Sequence, residues 1–112
     1  MVFISIPEKI LSMHEERISL KHSEGRGFVI PLGQVSLVGV VASRGLVGCG
    51  AIDVAALERF SYPAAQVRPS SGPSISTVAD LLSGVVKEVN EGAKRAGVAV
   101  GMSGKEALDL LS

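Results

Sequence analysis

The chain has 112 residues, 11 Lys plus Arg against 11 Asp plus Glu, 46% hydrophobic residues and only 4% aromatic ones. That length fits one domain, and zero net charge with one Tyr and three Phe argues against nucleic-acid binding, which needs cations for phosphates and rings for bases. So aliphatic a chain, of mean hydropathy +0.40, owns more apolar surface than so small a body covers, and the expected partner is a second copy of itself.

Residues 1–16 read as an N-terminal extension, with a strand over 2–6 and a helical turn over 8–13 as open alternatives. The first eight residues lack a positive stretch and a long apolar core, so no signal peptide is expected. One cysteine cannot make an internal disulfide, which fits a reducing, cytoplasmic setting. The longest uncharged window, residues 27–43, is 17 residues long and holds Pro31, Gly33 and Gly39. It falls short of the about 20 apolar residues of a membrane helix, and two buried strands explain it better.

Residues 17–52 are expected to form a β-rich oligomerisation region. Ile18, Leu20 and His22 alternate with Arg17, Ser19 and Lys21 as on a half-buried strand. The two glycines of 23–27 read as a turn before a strand at 28–30. The strand over 35–42 turns apolar on its second face at Val38 and Val40, so it is covered on both sides, by its own chain or by a neighbouring subunit. Val35, Leu37, Val38 and Val40 are therefore assigned to an interface, and Asp at Val38 or Val40 is expected to dissociate the assembly. Residues 45–52 read as another short buried strand.

Residues 53–112 are expected to be helical with one returning strand. Asp53 is a good N-cap for a helix over 54–60, with Ile52 and Leu57 as its hydrophobic staple. Tyr62 and Pro63 end it, and 64–67 returns as a strand, which suggests a right-handed βαβ crossover. A loop at 68–76 leads to the longest expected helix. In it Val78, Leu81, Leu82, Val85, Val86 and Val89 keep helical spacing, Thr77 or Ser76 caps the start, and Gly97 ends it. Gly84 and Gly92 fall inside, where each costs about 1 kcal/mol relative to Ala; they admit a neighbouring backbone or mark a break. Ser103 and Glu106 form a capping box for a short closing helix. The expected fold is α+β: an N-terminal antiparallel or mixed sheet, a βαβ crossover, and two C-terminal helices packed on the sheet.

Cys49, between Gly48 and Gly50 and four residues before the Asp53 cap, is the sharpest chemical candidate. A helix N-terminus nearby favours a thiolate, which would serve as a nucleophile or redox-sensitive group. Apolar neighbours and the Asp53 carboxylate favour a buried structural cysteine instead. His14 or His22 could act as its base only if the fold brings one within reach. His14, Glu15 and Glu16 alternate faces on an extended chain, His22 and Glu24 add no recognised spacing, and no metal is expected. Gly48, Gly50 and Asp53 imitate a dinucleotide fingerprint without its third glycine or its later acid. Ser103, Gly104 and Lys105 lack the rest of a P-loop, and no cofactor is expected. Both groups remain candidates for holding an anion at a helix start.

Two segments then carry a family resemblance. Residues 45–54 (GLVGCGAIDV) resemble the GYIMCGALDV signature of the YunC-like family, a small bacterial and archaeal domain of unknown function. Residues 97–108 (GVAVGMSGKEAL) resemble its closing GIKVGMSGREAL, and 77–82 (TVADLL) its TIEDLL. The match spans residues 32–111. At 68–74 the chain departs from the family's Gly-Arg-Ala-x-Gly-like run, carrying Pro69, Ser70, Ser71, Gly72 and Pro73 instead. The resemblance implies an α+β fold whose β region mediates tetramer formation, and no established activity. The reading that follows is a cytoplasmic homo-oligomeric binding or assembly module. A small enzyme or redox-sensitive protein using Cys49, and an anion or small-metabolite sensor, are the alternatives.

Overall fold

The computed structural model describes residues 13–112. The strand or helical turn expected over residues 1–13 lies outside this range, except for exposed Met13. Among the described residues six strands make one mixed sheet whose spatial order follows the sequence: β1 (His14–Ser19), β2 (Glu24–Pro31), β3 (Ser36–Val41), β4 (Leu46–Gly48), β5 (Ala64–Arg68) and β6 (Val85–Val89). Only β4 and β5 pair in parallel. Parallel neighbours need a crossover, supplied by α1 (Val54–Glu58), and α2 (Val78–Ser83), α3 (Glu91–Arg95) and α4 (Gly104–Leu111) complete the chain. The fold is α+β with the expected βαβ unit.

Several expectations are corrected. The turn placed at 23–27 sits earlier, where Leu20 N–H donates to the Ser23 carbonyl at 2.9 Å. Gly25 and Gly27 lie inside β2, opposite Ile18 and Glu16. A Cβ on Gly27 would stand 2.8 Å from Ile18 Cδ1 and 3.0 Å from Val78 Cγ2, so this glycine lets α2 settle onto the sheet. β1 also begins at His14, inside the segment assigned to the extension.

The single long helix is instead α2, β6 and α3. Thr77 and Asp80 cap α2 reciprocally, and Gly84 ends it in extended conformation, at φ −66° and ψ 171°. A Cβ there would stand 2.9 Å from the Arg68 carbonyl oxygen. The Val-rich run that follows pairs with β5, in keeping with the fit of β-branched side chains to a pleated surface. There are thus two returning strands rather than one, and three helices after β5 rather than two.

One sheet face carries the main core. Val38, Val40, Val47, Val67 and Val86 project there and meet Leu81, Leu108 and Leu111 from α2 and α4. On the opposite face, Ile52 covers Gly48 so closely that a Cβ would lie 2.1 Å from Ile52 Cγ1. Gln66 Nε2 ties down the same loop by donating to the Gly50 and Ile52 carbonyls at 3.1 and 2.9 Å, and α1 packs on β5. Among the described residues this cover lies over β4 and β5. Among the described residues no helix is long and apolar enough to cross a membrane.

Candidate functional site

Two surfaces stand out among the described residues: the open half of one sheet face, which no described helix covers, and a cleft at the sheet's end. On the open half, cross-strand register sets Glu15 beside Phe28 and Phe28 beside Gly39, with Ile30 beside Leu37 and Arg26 beside Val41. The Phe28 ring lies across Gly39, where a Cβ would meet its Cζ at 2.6 Å. Met13, Phe28, Ile30 and Val41 line a groove of about 340 Å³. Arg26 Nη2 bonds Glu15 Oε1 at 2.9 Å along its margin.

This geometry redistributes the expected interface residues. Val38 and Val40 are fully buried in the protomer's own core, because α2 covers their face of β3. Asp at either position removes core packing rather than a subunit contact. Leu37 is half-buried, and Val35 is 62% exposed at the end of the β2–β3 hairpin.

The cleft lies beyond the carboxyl ends of β4 and β5, between the Cys49–Gly50–Ala51 turn and the loop after Arg68, with a volume of about 380 Å³. Cys49 belongs to its wall but is only 6% exposed. Val38 N–H points at Cys49 Sγ from 3.5 Å, and Cys49 N–H donates to the Val38 carbonyl at 3.0 Å. The thiol is thus packed against β3 among aliphatic neighbours. His14 pairs with Val29, and Val29 with Val38. Three strand spacings, about 14 Å, therefore separate His14 from Cys49. His22 sits in the hairpin turn at the opposite end of the sheet, with its N–H donating to Ser112 Oγ. Neither histidine is placed to serve Cys49 as a base. Among the described residues no cluster of three His, Cys, Asp or Glu could hold a metal.

The two expected anion-holding groups do not converge. Gly48 is needed beneath Ile52, Gly50 stands open at the cleft, and Asp53 accepts from Ala56 N–H at 3.0 Å as the cap of five-residue α1. At α4 three backbone donors are already engaged. Ser103 Oγ accepts from Glu106 N–H, Glu106 accepts from Ser103 N–H, and Gly104 N–H donates to the Gly84 carbonyl. Lys105 Nζ holds both Asp109 oxygens at 2.8 Å. That hydrogen bond, with a second from Lys21 N–H, keeps the Asp109 carboxyl below its ordinary range despite some desolvation.

Sequence reasoning missed the polar groups that do converge on the cleft: Arg68, Lys87 and Gln66. Lys87 was hidden because its segment reads as helix, and a β-bulge has no reliable sequence signal. It also missed Asn90, a buried side chain that serves as the cap of α3.

The family described as Domain of unknown function (DUF1805) matches residues 48–111. No curated protein matches the chain. The crystal structure of a protein of unknown function, TA1206 from Thermoplasma acidophilum, superposes with a TM-score of 0.78 at 24% identity, over 89% of this chain and 93% of that one. At that identity the likeness speaks for the fold alone.

Proposed function

The chain belongs to the DUF1805 family, whose description names no activity, and from that premise we propose that it works as a homo-oligomeric binding module whose copies meet over the face of β1–β3 that no described helix covers. The observation that carries this reading is the apolar strip of Phe28, Ile30 and Val41, which no helix among the described residues covers. Apolar sheet faces of this kind are sites of association. A second copy suits it on charge. Glu15 and Arg26 stand on the same face, so copies related by a two-fold axis can exchange these partners, and a chain with zero formal net charge does not repel itself.

A tetramer is the assembly that the YunC-like resemblance implies, and the cytoplasm is the compartment that suits a lone free cysteine. Nucleic acid and membrane are not partners in this reading. Sedimentation of Phe28→Glu tests it. The side chain lies on the outer face, so the fold persists while a charge enters the contact. The account expects Phe28→Glu to sediment as a folded 11.6 kDa protomer; an unchanged assembly places the contact elsewhere and refutes it.

A further inference from the structure

We propose that the cleft at the carboxyl ends of β4 and β5 binds a small organic anion, with a phosphate or carboxylate head on a short apolar body. Crevices beyond the carboxyl ends of parallel strands are where open α/β sheets take their ligands, and this cleft lies beyond the sheet's one parallel pair. Its volume of about 380 Å³ suits a small molecule.

Charge selects the ligand. Arg68 and Lys87 line the cleft and no Asp or Glu does. Among the described residues neither cation makes an ion pair. A bulge puts Lys87 there: Glu88 opposes Gln66 and Val86 opposes Val67, leaving Lys87 as the extra residue on β6. Bulges re-aim side chains in this way. Glu88 lines a different hollow, shared with Glu58 and Glu91. Lys87 therefore does not share the cleft with its adjacent acid.

The rest of the lining is largely apolar: Leu32 and Val35, 59% and 62% exposed, with Ala51 and Pro73. Ser36 and Ser74 also line the cleft, and the Gly50 Cα stands open with no atom within 4 Å of a Cβ position. A fully polar solute such as inorganic phosphate would leave the exposed Leu32 and Val35 side chains unused, and a neutral one would leave the cations unused.

The test is an amide NMR titration of the whole protein with n-butyl phosphate, hexanoate, inorganic phosphate and n-butanol. The proposal expects saturable shifts at Gly50, Ala51 and Ile75 with millimolar butyl phosphate or hexanoate. It expects weaker binding of inorganic phosphate and none of butanol. Whichever of the two amphiphilic probes binds more tightly identifies the head group. Lys87→Gln and Arg68→Gln, both at exposed positions, should each weaken binding about tenfold, and added salt should weaken it further. Absence of saturable shifts with either amphiphilic probe overturns the proposal, as does equal binding by the Arg68→Gln, Lys87→Gln double variant.

Discussion

Replacing Asn90 by Ala should cost more stability than any other single polar truncation in this chain. Its side chain is the buried polar group of the core region, 6% exposed, and all of its hydrogen-bonding capacity is used. Oδ1 accepts from Ala64 N–H and Ala93 N–H, both at 3.0 Å; Nδ2 donates to the Val54 carbonyl at 3.1 Å and the Tyr62 carbonyl at 2.7 Å. One amide therefore joins the start of β5, the start of α1, the turn before β5 and the cap of α3. Losing the cap costs about 1 kcal/mol. An unpaired buried Ala64 N–H adds about 2 kcal/mol, and the two carbonyls, one near solvent, about 1 kcal/mol more. The total of about 4 kcal/mol is a large share of the 5–15 kcal/mol typical of a domain and should lower Tm by roughly 15–30 °C. Urea unfolding at fixed protein concentration measures it, since any self-association makes stability depend on concentration. Asn90→Asp should lose a comparable amount near neutrality, because a carboxylate would face the Val54 and Tyr62 carbonyls, and should recover part of it in acid. A loss below about 1.5 kcal/mol for Asn90→Ala would refute this account of the network.

Two other perturbations address the packing and the charge. Gly48→Ala should destabilise by about 1–3 kcal/mol, because its Cβ would fall 2.1 Å from Ile52 Cγ1; Ile52→Ala in the same chain should restore part of the loss, and additive effects in thermal unfolding would contradict the contact. Asp109, held below its ordinary pKa by Lys105 and the Lys21 amide, contributes stability that is complete above the unfolded carboxylate range near pH 4 and fades as pH falls through its lower folded value. Asp109→Asn should therefore flatten the acid limb of the stability profile, and an unchanged limb would show that the lowered pKa carries no stability.

How much of this was legible in the residues depends on the range of the interaction that decides each one. Asp53, Thr77 and Ser103 sit at the helix starts that local capping chemistry dictates. The strand expected over 64–67 returns as Ala64–Arg68 after a five-residue helix, behind the Tyr62 and Pro63 stop. The segment 78–89 misled because its valines satisfy a helical period while their β-branching suits a strand. Gly84, crowded by the Arg68 carbonyl, decides between them through a contact sixteen positions away in sequence. Gly25 and Gly27 misled for the same reason, being required by Leu20, Ile18 and Val78 rather than by a turn. The two-sided apolar character of residues 35–42 was readable, but which side the chain covers for itself depends on where α2 lands. The cleft was least legible of all. Its charge rests on a bulge that brings together Lys87, Arg68 and the Cys49 turn from three separate strands.

The central proposal is that the face of β1–β3 left open by the described helices is covered by further copies of the chain. Light scattering on the unmodified protein, followed from micromolar concentration upward, measures this directly. The account predicts a particle whose mass is a whole multiple of 11.6 kDa, with four as the expected multiple. A single species of 11.6 kDa throughout would contradict it.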